Sequence, residues 1–442
     1  MTPFQRHTLL VALVAVACRG TGPGRAGAPP PGALPAPALP AAGAAPTDTV
    51  CRVAGGPVQK RDTVTIALAE PVDPAHAPLA RNDAERFVFA QLYETLLRVD
   101  CAGRVLPGLA ASWIGTADRW TFTLREDARF WDGAPVTARD VVAAWRLRDS
   151  AFAQSVAIEG DRVLSLRPPT VPVQPLADPA LAVTKRAPGG GWPIGTGGHW
   201  VSETTGGIVW AVPLRPGAGP ALRVVTALGG RLRDAVDAAV DLVLTDDPAV
   251  LAYAATRPGY LDLPLGWSTS YALLAPGRGE RTVAVGAEGL RDAVHLDARP
   301  ADGSDGGSVW VRELGPCEPP GDRELVASPG ARPRVVYDQA DRNAADLAAR
   351  IVALGALGTR AVAAGLAPGA FAGAVRVGAD AAYVFPIRRR VFDVCRATLE
   401  LPPWSADGSV APLLDVRSHA VARRGFPALE LDWGGTPRVL VR

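Results

Sequence analysis

Cysteine chemistry is the first thing this sequence offers. Five cysteines occur, Cys18, Cys51, Cys101, Cys317 and Cys395. Cys18 follows Ala15-Val16-Ala17 at the end of an apolar stretch from Leu9 to Ala17, and Arg6 and His7 stand before that stretch. A basic start, an apolar centre of roughly 7–15 residues and small residues at its end describe a secretory leader. The stretch is short of the roughly 20 apolar residues that cross a bilayer. A thiol placed there resembles a lipobox cysteine, which carries lipid and becomes the first residue of the mature chain. Ala15 is a weaker choice at its position than leucine, so ordinary leader cleavage stays open. Export puts the other four thiols where disulfides persist, and four cysteines allow three pairings or none.

Other chemistry finds little support. The sequence holds no Gly-x-Ser-x-Gly elbow, no His-Glu-x-x-His, no Gly-x-x-x-x-Gly-Lys loop and no Cys-x-x-Cys pair. The five histidines (His7, His76, His199, His295 and His419) are scattered. Two of them meeting in space to ligate nickel or haem is conceivable, but histidines so placed are more often surface or satisfied core residues. The chain therefore reads as a non-enzyme without a cofactor or metal. A net charge of +2 over 442 residues makes no electrostatic case for a nucleic-acid partner or an anionic membrane surface. Lysine occurs only as Lys60 and Lys185, a skew toward arginine that reflects coding bias rather than function.

The elements that must carry any site begin after a long preamble. From Arg19 to about Pro46 the chain is nearly all Pro, Ala and Gly, an extended, partly polyproline tether that runs to residue 60. Thr63 to Leu68 alternates, with Val64, Ile66 and Leu68 on one face, and predicts a strand. From Ala84 the period lengthens: Val88, Leu92 and Leu96 fall four apart beside Phe89 and Tyr93, which predicts an amphipathic helix. Trp120, Phe122 and Leu124 predict a second strand, and Trp131-Asp132-Gly133 a turn. Thr137 with Asp140 forms a capping-box pattern before Val141, Val142 and Trp145. Arg334 to Tyr337 predicts a short strand feeding a helix over Asp341 to Leu354, with Leu347, Ile351 and Leu354 on one face. Strands alternating with helices give an α/β fold.

Two blocks bring a family into view. Gln91 to Trp113 carries Tyr93, Glu94, Leu96, Asp100, Gly103, Pro107 to Ala110, Ser112 and Trp113. Trp120 to Trp145 adds Phe122, Leu124, Arg125, Phe130, Asp132, Gly133, Pro135, Thr137, Ala138, Asp140 and Val141. In this order they resemble the signature of the family 5 extracellular solute-binding proteins, which bind oligopeptides, dipeptides, nickel chelates and related solutes for ABC importers. Pro193-Ile194-Gly195-Thr196-Gly197 resembles the family's Gly-Thr-Gly segment, although Gly198 and His199 replace the Pro and aromatic that follow it there. Ala239 to Tyr253 resembles the strand that returns toward the cleft. The likeness fades beyond Tyr271, and the region from Gly277 to about Pro333 is abbreviated.

The resemblance implies a two-lobed periplasmic-binding-protein-like fold with mixed sheets and a ligand cleft between the lobes. Its divisions would be a leader over 1–18, the tether over 19–60, lobe I over 61–271, lobe II over 272–403 and a return to lobe I over 404–442. Trp267 and Tyr271 would flank the crossing and pack on a solute. Asp246 and Asp247, at the end of a strand, would receive a ligand ammonium, unless they merely cap a helix before Pro248. Asp380 and Tyr383 would hold similar ground in lobe II. Arg125, Asp132, Gly133 and Thr137 would serve as turn, cap and packing residues. Division into lobes further implies pairing Cys51 with Cys101 and Cys317 with Cys395, which leaves the hinge free. The implied partners are a peptide or other small solute, a membrane permease, and the membrane through a lipid anchor only, with the chain a monomer. The alternatives are a sensory or degenerate binding protein of the same fold, favoured by the short second lobe, and a secreted hydrolase, favoured only by export.

Overall fold

Val64, Ile66 and Leu68 are buried as their alternation requires, and they place strand β1 (Thr63–Leu68) in the middle of a large sheet. The computed structural model describes residues 51–440 apart from 55–58, 117, 149, 168–173, 228–230, 277–288, 291–292, 295–309, 312–332, 379–381 and 389–408. Around β1 the chain lays down β2 (His199–Thr205), β3 (Ile208–Pro213), β4 (Ala221–Thr226) and β5 (Leu242–Thr245). The long β6 (Tyr260–Ala275) follows, then β7 (Arg334–Asp338), β8 (Val362–Leu366), β9 (Ala382–Arg388) and the equally long β10 (Ser409–Arg423). Spatial order is β8-β7-β9-β6-β10-β5-β1-β4-β3-β2. β1 lies parallel to β4 and β5, and β7 parallel to β8 and β9. Antiparallel pairs join the two parallel groups, so the sheet is mixed.

β6 and β10 make the architecture two-lobed. Their register runs from Tyr260 opposite Arg423 to Ala275 opposite Ser409. At one end β10 pairs with β5 over Thr245 to Leu242, and at the other β6 pairs with β9 over Thr269 to Leu274. The same two strands therefore belong to both halves. Their register shifts between Pro264 and Trp267, between Trp267 and Thr269, and between Tyr271 and Ala272. Bulges of this kind bend and twist a ladder locally. The connection between the two halves thus runs along the whole of β6 and β10.

Helices cover the sheet. In the first lobe α1 (Asp83–Leu92) is capped by Asn82, whose side chain accepts from the Glu85 amide, and buries Phe87, Val88 and Leu92. The four-residue spacing predicted continuation to Leu96, but α1 ends at Leu92 and Tyr93 turns extended. Gly195 and Gly197 explain the stop. A Cβ on Gly195 would stand 2.3 Å from the Leu92 carbonyl oxygen, and one on Gly197 2.5 Å from that of Gln91. The Gly-Thr-Gly segment thus lies directly on the last turn, and Leu96 is buried beyond the helix instead.

A smaller four-stranded sheet (110–115, 120–124, 163–166 and 156–160) packs with α2 (Ala138–Arg146) around fully buried Phe122, Phe130 and Trp145. Thr137 and Asp140 close the predicted capping box, and the Trp145 indole donates to the Leu181 carbonyl at 2.8 Å. Arg125 donates to Glu94 at 3.0 Å, tying this unit to the end of α1. Cys51 and Cys101 form a disulfide with Cα atoms 5.5 Å apart. Cys317 and Cys395 lie outside the described residues, as does Cys18.

Further on come α3 (Leu232–Asp237), α4 (Pro248–Ala255), α5 (Arg342–Ala353) and α6 (Pro368–Val377). α5 packs on β7, β8 and β9 through Ala344, Leu347, Ala348 and Ile351. Leu354, expected on that face, sits just past the helix and is exposed. Among the described residues no helix is long and apolar enough to cross a membrane.

Candidate functional site

The first turn of α5 is where the two halves of the molecule touch through polar side chains. Asp341 is its N-cap: one carboxylate oxygen accepts from the Ala344 amide at 3.0 Å. The Tyr271 hydroxyl, from β6, donates to the same carboxylate at 2.8 Å. Asn343 donates through Nδ2 to Asp246 at 2.6 Å, and Arg342 donates through Nη1 to Asp247 at 3.1 Å. Asp246 and Asp247 follow β5, whereas Arg342 and Asn343 open α5, which packs on β7, β8 and β9. Three successive residues, the Asp341 cap and the first two of α5, therefore reach β6 and the segment after β5.

Local chemistry accounts for how each group is held. Asp247 caps α4 by accepting from the Ala249 amide at 2.9 Å, with Pro248 in the first helical position. That arrangement satisfies one orphan amide and needs no donor from the proline. One carboxylate oxygen thus serves the cap while the other meets Arg342. Asp246 has no local role of this sort; its partner is Asn343.

Burial dominates the electrostatics. It raises the Asp246 carboxyl above its ordinary value, Asp83 adds to the rise, and the Asn343 hydrogen bond opposes it. Burial likewise raises the Asp341 carboxyl, against the bonds from Ala344 and Tyr271. The Tyr271 phenol is raised far above its usual range by burial and then by the Asp341 charge, so it remains a donor. Asp83, at the start of α1, acts on all three groups. The rim is thus acidic from three elements, with Arg342 as the cation drawn to it.

The sequence-predicted residues divide accordingly. Asp246, Asp247 and Tyr271 come together around the start of α5. Tyr271 is 4% exposed and hydrogen-bonded to Asp341, so it orders the helix cap from within rather than offering an open stacking face. Tyr383 requires correction: it is fully buried among Leu274, Phe371 and Val375, and its hydroxyl donates to the Ala374 carbonyl at 3.0 Å. A side chain enclosed between β9 and α6 has no face for a solute. The Trp267 backbone stands opposite Arg417 between two register shifts, and Asp380 lies outside the described residues. Asp341, Arg342 and Asn343 were missed as site residues. Their helix start was legible; that it would meet Asp246 and Asp247 was not.

The described histidines do not gather. His76 Nδ1 lies 2.6 Å from Glu85, His199 Nε2 3.0 Å from the Pro220 carbonyl, and His419 Nδ1 2.7 Å from Asp262. Burial lowers the His199 imidazole below its ordinary value. Among the described residues no group of three or more His, Cys, Asp or Glu could hold a metal.

Comparison with known proteins agrees with this architecture. Residues 104–150 match the middle segment of the bacterial extracellular solute-binding proteins, family 5. The chain is 39% identical over 110 residues to the periplasmic murein peptide-binding protein MppA of Escherichia coli, covering 23% of this chain and 20% of that protein. It is 49% identical over 76 residues to the periplasmic oligopeptide-binding protein OppA of Haemophilus influenzae, covering 16% of this chain and 14% of that one. These alignments span a fifth or less of the curated relatives' length. Likeness of fold extends further. NikA from Brucella suis, solved with Fe(III)-EDTA, superposes with a TM-score of 0.57 over 81% of this chain and 95% of its own, at 17% identity. In its signature segment the chain is similar to the bacterial extracellular solute-binding proteins, family 5, and in its fold to solved two-lobed binding proteins.

Proposed function

We propose that this chain is the substrate-binding component of an ABC importer, which captures a peptide or similar small solute between its lobes and delivers it to a membrane permease. The observation that carries this reading is the meeting of Asp246 and Asp247 with Asn343 and Arg342 across the two lobes. Relatives named for oligopeptide, murein peptide and nickel binding support the same class of activity. Lobe I spans 61–271 and lobe II 272–403, with 404–442 returning to lobe I. The solute bridges the lobes and stabilises the closed state through contacts that only closure provides. The mature chain acts as a monomer at the cell surface or in the periplasm, held by lipid on Cys18 and carried on the 19–60 tether.

Thermal unfolding against peptide and nickel-chelate libraries tests the binding. A cognate solute raises the melting temperature, by an amount equivalent to about 2.7 kcal/mol at a hundredfold excess over the dissociation constant. A folded protein that no member of either library stabilises would defeat the transport reading. Anchoring has its own test. The wild type should incorporate labelled fatty acid and partition with detergent, and Cys18→Ala should do neither; an unlabelled, soluble wild type leaves export without the anchor.

A further inference from the structure

Cys51 falls within the 19–60 segment whose composition reads as tether, yet the structure seats it on the folded body. Arg52–Val53 is a two-residue strand antiparallel to Leu429 and Glu430, on the edge of a hairpin whose other strand is Pro437–Val439. The Leu431 amide donates to the Cys51 carbonyl at 2.8 Å. Arg52 and Ala54 are exposed and Val53 is half-buried, so this arm takes little apolar surface out of water beyond Cys51 itself. Ordering the backbone of one residue costs about as much as one or two net hydrogen bonds return, so a strand this short does not hold itself.

What holds it is the bond to Cys101. Cys101 sits on a turn that other contacts fix in place. The Asp100 carboxylate accepts the amides of Ala102 and Arg104 as well as Arg104 Nε. A Cβ on Gly103, whose φ is +81°, would stand 3.3 Å from the Trp433 ring, and the Trp433 amide donates to the Val99 carbonyl at 3.1 Å. The elements between the two cysteines are held independently of the bond. β1 lies inside the large sheet between β4 and β5, and α1 is capped by Asn82 and packed through Phe87, Val88 and Leu92. After the arm, the next described hold on the chain is Gln59, whose amide donates to the Gly425 carbonyl at 3.0 Å, followed by the Arg61–Asp241 ion pair. What depends on the disulfide is therefore the arm alone.

We propose that Cys51–Cys101 is a redox latch for the N-terminal arm. Oxidised, it docks the arm on Leu429–Leu431; reduced by a dithiol, it releases the arm while the rest of the fold stays in place. Cys101 is the half-buried partner and Cys51 the buried one, so the incoming thiolate attacks Cys101 Sγ. The protein S–S bond breaks, a mixed disulfide forms on Cys101, and Cys51 leaves as a thiolate and takes a proton. The second thiol of the reductant then displaces Cys101, which is protonated in turn, and the dithiol ends as its own disulfide. Release moves the point where the tether leaves the body from Cys51 to Gln59, which lengthens its reach by at most about 29 Å. It also uncovers the backbone edge of Leu429–Leu431.

Hydrogen exchange of the full chain, oxidised and after dithiothreitol under native conditions, tests the latch, beside the double variant Cys51→Ser, Cys101→Ser. The Leu431 amide should be protected in the oxidised protein. In the reduced protein and the double variant it should exchange about tenfold faster, with the amides of β1 and α1 unchanged, and trypsin should gain a cut after Arg52. Reoxidation should restore the protection in wild type only. If the double variant does not fold, the dithiothreitol comparison alone decides. An unchanged Leu431 amide would mean that the arm holds without the bond, and protection lost throughout β1 and α1 would mean that the bond supports the whole unit; either overturns the proposal. So does a bond that dithiothreitol reduces only in denaturant. None of these readouts involves a solute or the contact of Asp246 with Asn343, so failure here leaves the transport reading untouched.

Discussion

Thr137 with Asp140 and Asp246 with Asn343 use the same hydrogen-bonding vocabulary at very different range. The first pair is three residues apart and closes a helix start within one unit. The second is 97 residues apart and joins two lobes. A local bond forms wherever its segment folds, so it belongs to stability. A bond between the segment after β5 and the start of α5 depends on how the two halves meet, so on the proposed reading it belongs to the open–closed equilibrium. Substitutions in the two regions should therefore separate, one set moving unfolding and the other moving closure.

The largest effect is expected where the first-lobe unit is packed. Trp145 is fully buried and donates to Leu181. Trp145→Ala should cost about 3–5 kcal/mol in denaturant unfolding, while any protein that remains folded keeps its closure behaviour. A loss below about 1 kcal/mol would mean that this unit contributes little to global stability.

Asn343→Ala should act in the opposite sense. Loss of the bond to Asp246 shifts the open–closed ratio by about tenfold toward open, the equivalent of about 1.4 kcal/mol, with the unfolding midpoint nearly unchanged. Spectroscopic distances between probes on the two lobes read the first quantity and denaturant melts the second. An unfolding loss without lobe opening would reassign the contact to ordinary packing.

Thr137→Ala supplies the local control. Removing the N-cap oxygen should cost about 1 kcal/mol of unfolding free energy and leave the distance between lobes alone. A change in closure from this variant would show that the small sheet and α2 are coupled to the rim.

The same contrast decides how much was legible in the sequence. β1, the strand at 120–124, the turn at Gly133, the cap at Thr137 and the helix after Asp341 were readable because period and capping are set within a few residues. The end of α1 was not, because Gly195 and Gly197 arrive from a hundred residues away to occupy the place where the helix would continue. The rim was half legible. Asp246 and Asp247 stood out as acids after a strand, but their partners depend on how β6 and β10 carry the second lobe over the first. Tyr383 was misplaced because a tyrosine beside a strand reads alike whether its ring faces a cleft or is enclosed by a helix such as α6.

The smallest effect concerns pH and falls on the rim alone. Asp246 has its carboxyl raised by burial and by Asp83, while Asn343 and Arg342 pull the other way. In an open state, or an unfolded chain, the same carboxyl returns toward the ordinary value near 3.9. A raised value means that the closed form binds the proton more readily. Its contribution to closure is therefore fully present below the ordinary value and is lost as pH rises through the raised one. Acidification from neutral into that window should bring the lobes together, whereas local bonds such as Thr137 to Asp140 contribute nothing to this response. Asp246→Asn keeps an oxygen for Asn343 and removes the titration, so it should hold the lobes closed at neutral pH and flatten the profile. Asp83→Asn should shrink the response without abolishing it, because burial is the larger cause. Lobe distances that widen on mild acidification, or that respond equally in wild type and Asp246→Asn, would remove Asp246 as the titrating group and leave Asp341 to be tested in its place.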